Sequence, residues 1–513
     1  MVQYTPQKQT SIEAFELPFP GKLDPANRWV RYTELIPWDD LVTIYVKSMN
    51  RTQGKIGVDP RVAIGAILVK HLKGLSDEET LMEMQENVYV QYFLGFPGFR
   101  KDLAFDPSLL VHIRRRMGAE GFARLNDRLL EEASRIQQTQ KEAKSRGNKG
   151  KKTELPEGST PVESNPEVGS QAPHQGILKL DATVADQAIR YPTDVSLLNE
   201  CRQKSEELID RLYLELPVED KPRTYRKLAR QDYLAFSKKR KKSKRQIQLA
   251  IGKQLRYLRR NLKSVDTLLD TVEDGHFPLY WPYQRMLWVI REVYRQQMEK
   301  YRTQTTVIPD RIVSVHQPHV RPMVRGKAGA EVEFGAKVNA SEVNGFARAD
   351  VIRWDAYNEA GDLKVMVESY RDLYGCYPEY VVADRIYMNR DNRTWLKERG
   401  IKAGGPPLGR PSKESKTPQE RKKSRAINGT RNHVEGKFGE GKVFYRMNRI
   451  RGKNRESSEG MIHAIFFCMN LARLLRVLFA FFIRQKNTFI NTVKLILSGI
   501  ACNKLYFLKL NGA

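Results

Sequence analysis

Residues 176–186, GILKLDATVAD, and residues 378–384, PEYVVAD, decide the fold. Each is a short apolar run that delivers a carboxylate: Asp181 closes ILKL and Asp384 closes YVVA. Runs of this length bounded by turn residues read as strands. A carboxylate at a strand's carboxyl end stands in the crevice where sheet proteins take ligands. Strand character also marks RIVSV (311–315), AEVEFGAKVNA (330–340) and GFARADVIRWD (345–355), the last two predicting a hairpin or meander. Helix DLKVMVESYRDLYG, strand PEYVVAD, helix NRTWLKERG and the short strand IKAGG then alternate. Alternation of this kind predicts an α/β fold, a sheet with helices packed on it.

Working outward, residues 60–135 read as helical. PRVAIGAILVKHLKGLS carries apolar residues at helical spacing, and Ser76 stands as a cap before the acidic start of SDEETLMEMQENVYVQYFLGF. A second helix pair follows at DPSLLVHIRRRMG and EGFARLNDRLLEEASRIQQ. From about Thr139 the chain turns polar and loses periodicity, as a linker does. The expected organisation is a helical N-terminal domain (1–137), a polar linker (138–175), an α/β domain (176–483) and a C-terminal tail (484–513). Within the α/β domain, residues 197–302 form a helical insertion.

The chain has 513 residues, 88 Lys and Arg against 60 Asp and Glu, and a net charge of +28. A surplus of that size favours a polyanionic partner, because each cation placed on a phosphate releases condensed counterions. Charge alone does not separate DNA from RNA. The surplus is densest from Lys221 to Arg260, where sixteen Lys and Arg face a single acidic residue, Asp232. Tyr225, Leu228, Tyr233, Phe236, Ile247, Leu249 and Leu255 are interleaved there, the pattern of a helix with one core face and one phosphate-facing face. Four scattered cysteines suggest neither a disulfide framework nor a zinc site. The start MVQYTPQKQT lacks an apolar signal segment. Met461–Ile483 is apolar but carries Arg473 and Arg476, costly at a bilayer centre, so it reads as a buried core helix. No membrane partner is expected.

An Asp after a strand is more often a turn or cap than a metal ligand, so the aspartates need company. Glu435 supplies it, in a helical segment flanked by Arg431, His433 and Lys437. Three converging carboxylates can hold two divalent ions about 4 Å apart, one at the attacking and one at the leaving oxygen.

The wording around these residues resembles the transposases of bacterial insertion sequences that carry a catalytic acid triad on an RNase H-like sheet. The blocks are LKLDATVADQAIRYPTDVSLLNECR, RIVSVHQPHVRPMVRGKAGAEVEFGAKV, YVVADRIYMNRDN, RNHVEGKFGEGKVFYRMNRIRGK and, later, NLARLL, in the family's order. The helices before residue 137 are similar to the N-terminal domain that often precedes that core. The resemblance implies that Asp181, Asp384 and Glu435 are catalytic and hold Mg²⁺, with Mn²⁺ as a substitute. The family's Tyr-Arg-Glu-Lys signature, with two, three and six residues between members, meets Arg431, Glu435 and Lys442, with Asn428 at the Tyr position. Ile386 stands where the family usually has Gly. Gly436, Gly439 and Gly441 weaken the helix, which places Lys442 just beyond its end.

What the resemblance implies is metal-dependent phosphoryl transfer: cutting at the element's ends, then joining 3′-hydroxyls to target DNA. The partners would be double-stranded terminal inverted repeats and target DNA, with a homodimer pairing two ends. The location would be cytoplasmic and nucleoid-associated. Candidate phosphate contacts are Arg431, Lys442, Arg385, Lys327, Lys337 and the run Lys238, Lys239, Arg240, Lys241 and Lys242. End recognition would fall to the N-terminal helices, for instance around HIRRRMG (112–118). Tyr387 and Trp395 read as core residues, Asp186 and Asp194 as turn or cap residues. Two rivals remain: a nuclease of the same sheet type without strand transfer, and an inactive DNA-binding relic.

Overall fold

The computed structural model describes residues 9–47, 57–102, 106–148, 174–272, 277–327, 330–405 and 418–478. Its N-terminal part is helical: α1 (Arg28–Leu35), α2 (Trp38–Val46), α3 (Pro60–Lys73), α4 (Asp77–Glu86), α5 (Val88–Phe93) and α6 (Leu109–Asn148). Helix α3 is buried along nearly its whole length, with Asp59 capping its N-terminus, Pro60 in its first turn and Gly74 ending it at φ 66°. Ser76 and Glu79 form the reciprocal capping box that opens α4. Gly118, at φ 62°, breaks α6 into two stretches, and the second runs to Asn148. The polar segment from Thr139 is therefore helical for its first ten residues, and not the expected linker there. Residues 149–173 and the tail after Leu478 lie outside the described residues.

The sheet is mixed and six-stranded, ordered β2–β3–β1–β5–β6, with β4 also pairing β3. Its strands are β1 (Ile177–Asp186), β2 (Arg321–Lys327), β3 (Ala330–Val343), β4 (Phe346–Arg353), β5 (Tyr380–Ala383) and β6 (Lys402–Gly404). Strands β3 and β4 form the expected hairpin, turning at Asn344 and Gly345, both at positive φ. Gly335 on β3 has no room for a side chain, since a Cβ there would meet the Ala185 carbonyl oxygen. RIVSV is not a strand. Its Ile312, Val313 and Val315 are buried, and the Ile312 N–H donates to the Gln296 side chain at 3.0 Å instead of to a ladder.

Four helices, α7 (Asp194–Glu215), α8 (Arg226–Ser237), α9 (Lys244–Leu269) and α10 (Trp281–Thr303), form the insertion between β1 and β2. They have their own core, with Ile251, Leu255, Leu258, Leu262 and Val265 of α9 spaced along one face against α7 and α10. Asp194 ties the two ends of the insertion together, accepting from Lys300 at 2.7 Å and Arg311 at 2.9 Å. It acts as an ion-pair staple, not the expected cap; Thr193 is the cap.

After the hairpin come α11 (Leu363–Tyr374), α12 (Arg390–Glu398), α13 (Pro418–Gly429), α14 (Asn432–Phe444) and a last helix, α15 (Arg455–Leu478). Helices α11 and α12 cover one face of the sheet, packing on Leu178, Leu180 and Val381. On the other face α6, α14 and α15 join the N-terminal helices, Ala185 and Val338 in one continuous core. Helix α15 is long and apolar enough to cross a membrane by composition. Here Ile462, Ile465, Phe466, Phe467 and Leu471 are buried in that core, as the sequence predicts.

A polar knot fixes this junction. Arg348 of β4 holds both carboxylate oxygens of Asp127 on α6, at 2.6 and 3.0 Å, and Oδ1 of buried Asp350 at 2.7 Å. Asn470 of α15 donates to Asn126 at 2.7 Å and exchanges hydrogen bonds with the Ala347 backbone. Removing one partner from such a pair strands a buried charge. Arg348→Ala is expected to cost about 3–5 kcal/mol of stability, read as a lowered denaturation midpoint; an unchanged midpoint would refute the account.

Asp77 makes a second prediction. Burial favours its neutral form, but Arg114, bonded at 2.7 and 2.9 Å, and Lys70 outweigh this and hold the carboxyl at about 2. A carboxylate depressed in the folded state adds stability above its unfolded pKa, near 4, and loses it as pH falls towards 2. Asp77→Asn is therefore expected to flatten the fall in stability between about pH 4 and 2, measured by denaturant titration across that range.

Candidate active site

Strand β1 is the central strand, antiparallel to β3 and parallel to β5. It runs on to Asp186, so Asp181 stands in mid-strand and not at its end. Strand β5 stops at Ala383, which pairs with Leu180. One step further along both parallel strands lie Asp181 and Asp384, level with each other and on the same face. That face is the one covered by α14. Helix α14 brings Glu435 in its first turn.

Arg431, the residue preceding α14, joins the group. Its Nη1 lies 3.0 Å from Asp384 Oδ1 and its Nη2 donates to Glu435 Oε1 at 2.8 Å. Asp384 Oδ1 also accepts from the Arg385 N–H at 2.7 Å, and Asp181 Oδ1 from the Ala182 N–H at 2.8 Å. Burial pushes the Asp181 carboxyl above the usual range, opposed by the Ala182 N–H and Arg431 and reinforced by the negative charge of Glu435 and Asp384. Thus one guanidinium bridges two carboxylates while the third feels all of them.

Among the described residues, no three His, Cys, Asp or Glu side chains are grouped closely enough to hold a metal ion as they stand. The donor set nevertheless suits a hard divalent cation: three carboxylates, all oxygen, two of them on one guanidinium and the third within its field.

The loop carrying Asp384 is anchored from beneath. It turns tightly, the Tyr387 N–H donating to the Asp384 carbonyl at 3.1 Å. The buried Tyr387 hydroxyl donates to Asn339 Oδ1 at 2.9 Å, and Asn339 Nδ2 donates to Tyr357 at 2.7 Å and to Asp362 at 2.5 Å. Asn339 sits on β3 opposite Ala182, where the β3–β4 ladder shifts register; such bulges re-aim side chains near sites. Sequence reading missed this network, although a polar Asn inside an apolar strand was a signal for it. Tyr387 is buried, as expected. Trp395 is half-buried, with the Arg399 guanidinium 3.8 Å from its ring centre.

The remaining candidates divide. Lys442 lies within α14, not beyond it: the helix runs through exposed Gly436 and Gly439, and Gly441 is buried against Met447 and Met469. Its ammonium faces Glu333 at 3.3 Å and Asp186 at 3.5 Å. Lys337 is held by Glu359 at 2.5 Å and the Tyr357 carbonyl at 3.1 Å. Arg385 is exposed beside Asp384. Lys327 ends β2, and its side chain lies outside the described residues. Lys238, Lys239, Arg240, Lys241 and Lys242 occupy the exposed turn between α8 and α9. Asn428 accepts from the Gly405 N–H at 2.8 Å and so ties α13 to the end of β6. Exposed Ile386 has no positive φ that would require glycine. In HIRRRMG, Arg114 is spent on Asp77, while His112, Arg115 and Arg116 are exposed.

Comparison with known proteins places these elements in a class. A "Transposase DDE domain" model matches residues 381–472, which hold Asp384, Arg431, Glu435 and Lys442. A "Transposase domain (DUF772)" model matches residues 19–116, helices α1 to α5 and the start of α6. The two matched stretches indicate an insertion-sequence transposase of the DDE kind. Strand β1 with Asp181, and the helical insertion, lie outside both matched stretches. An uncharacterized protein of the Rhizobium meliloti nfe locus is 31% identical over 103 residues, 20% of this chain and 49% of that protein. The match thus spans about half that relative's length. No solved structure matches the chain.

Removing the Tyr387 hydroxyl leaves Asn339 Oδ1 buried without its donor. Tyr387→Phe is expected to lose about 1–3 kcal/mol of stability and to speed amide exchange across residues 384–388. Unaltered exchange there would show that the hydroxyl does not anchor the loop.

Proposed function

We propose that this transposase works by metal-dependent phosphoryl transfer on an RNase H-like sheet, with Asp181, Asp384 and Glu435 as the catalytic carboxylates. The observation that carries the reading is the Arg431 bridge between Asp384 and Glu435, beside an Asp181 that is level with Asp384 across a parallel strand pair. The strand order, with the central strand flanked by one antiparallel and one parallel neighbour and helices on both faces, supports the RNase H-like assignment.

Asp181, Asp384 and Glu435 would hold Mg²⁺, or Mn²⁺ in its place, which activates the attacking oxygen and stabilises the leaving one. The chain does the positioning. Asp181 and Asp384 are fixed by the β1–β5 register and the Tyr387 anchor, so the scissile phosphate meets a preset geometry. Arg385 and Arg431 stand beside it to hold phosphate oxygens. The turn from Lys238 to Lys242 takes the DNA backbone further out, and the exposed His112, Arg115 and Arg116 serve recognition of the ends. Water attacks the phosphodiester at the element's end and its 3′-oxygen leaves as a hydroxyl; that 3′-hydroxyl then attacks a target phosphate in line, and the target strand's own 3′-oxygen leaves. Two ends are paired by a homodimer, in the cytoplasm at the nucleoid.

The test is a cleavage and joining assay on labelled duplex bearing the element's terminal inverted repeats, with Mg²⁺, beside Asp181→Ala. Nicks bearing 3′-hydroxyls plus joined products, lost in the variant, are expected. Nicks without joining would favour a nuclease, and tight binding without cutting a relic. Replacing Lys238, Lys239, Arg240, Lys241 and Lys242 by Gln should leave the fold intact and flatten the salt dependence of DNA binding. The log–log slope should fall by about 0.9 for each DNA phosphate that is no longer neutralised. An unchanged slope would remove this turn from the DNA path.

A further inference from the structure

We infer that Arg431 is the resident counter-ion of the carboxylate site, engaging Asp384 and Glu435 until a DNA phosphate draws it away, so that DNA and divalent ion bind cooperatively. The inference rests on the proposed triad and adds a coupling to it.

The two guanidinium nitrogens rest on Asp384 Oδ1 and Glu435 Oε1, oxygens a divalent ion would need. A guanidinium and a small cation cannot share them, so ion binding displaces Arg431. Charge acts in the same direction. Three carboxylates brought onto one sheet face repel one another, and Arg431 is the positive charge that opposes this at Asp181. The displaced guanidinium needs a new anion. Lys442 and Lys337 already face acidic partners, Glu333 with Asp186 and Glu359, so those carboxylates are engaged and do not stand ready to receive it.

A phosphate suits Arg431 well. Its planar fork binds phosphate in bidentate fashion, its side chain is about one-third exposed, and it stands where α13 and α14 join, at the mouth of the site. Once phosphate takes the guanidinium, Asp384 and Glu435 are free for the ion. By linkage, DNA then tightens ion binding by the factor with which the ion tightens DNA binding. The protein alone would hold the ion weakly, which keeps the site idle away from DNA.

The experiment measures Mn²⁺ binding by electron paramagnetic resonance of the free ion. It uses the full chain with and without terminal-repeat duplex, with duplex alone and Glu435→Gln setting the background. For the native protein, duplex should tighten Mn²⁺ binding about tenfold. Arg431→Ala should bind Mn²⁺ about tenfold more tightly than native protein without DNA, and duplex should add little. Arg431→Lys, which keeps the charge but not the fork, should fall between. Native and Arg431→Ala proteins that bind Mn²⁺ equally without DNA would overturn the counter-ion role while leaving the triad intact. Binding no greater than in Glu435→Gln, with duplex and without, would overturn the triad reading itself.

Discussion

Asp181 on the central strand and Asp384, one residue past the end of the neighbouring parallel strand, bring like charges to one side of the sheet. The β1–β5 register sets Asp181 and Asp384 side by side. Leu180 and Ala383, the residues before them, are paired in the sheet and buried beneath. The field they create has to be met by positive charge. Helix α14 answers it in part by placing Arg431 and Glu435 together over the same face.

Helix α14 can reach that face only because of the core behind it. Val434 and Phe438 point into the same continuous core as α3, α6 and α15. The N-terminal helices are therefore part of what holds Glu435 in place. The Asp127–Arg348–Asp350 and Asn126–Asn470–Ala347 contacts make the junction directional as well as apolar. A DNA-binding element built on α6 would thus be rigidly connected to the sheet carrying the carboxylates. The helical insertion is different: its core is its own.

The strands and long helices were legible because their patterns are strong. Alternating or continuous apolar runs marked β1, β3, β4 and β5, and Ser76 marked the start of α4 through its capping box. RIVSV misled because burial alone cannot distinguish a strand from an apolar plug whose backbone is satisfied by a side chain, here Gln296. Lys442 misled because glycine propensity is a weak local effect, and packing of Gly441 on Met447 and Met469 carries the helix through. The grouping of Asp384, Arg431 and Glu435 came from resemblance. No spacing rule brings residue 384 to residue 431; the fold of β5, β6 and α13 does. Asn339 stood out as a polar residue in its strand, but its partners could not be read for the same reason, since they come from separate stretches of chain.

The surplus of positive charge is likewise not uniform in its use. Arg114, Arg202, Lys179 and Arg348 are buried or nearly so, and each is matched by a carboxylate, as the cost of desolvating a charge demands. Such residues neutralise the interior and contribute nothing to the outer field. Among the described residues, what remains for a polyanion includes the exposed run in the turn between α8 and α9 and, near the carboxylates, Arg385. A DNA backbone following that charge would be led from the insertion towards a site whose own carboxylates repel it. Among the described residues, Arg431 pairs with both Asp384 and Glu435, so it is the cation for which a phosphate arriving there would compete.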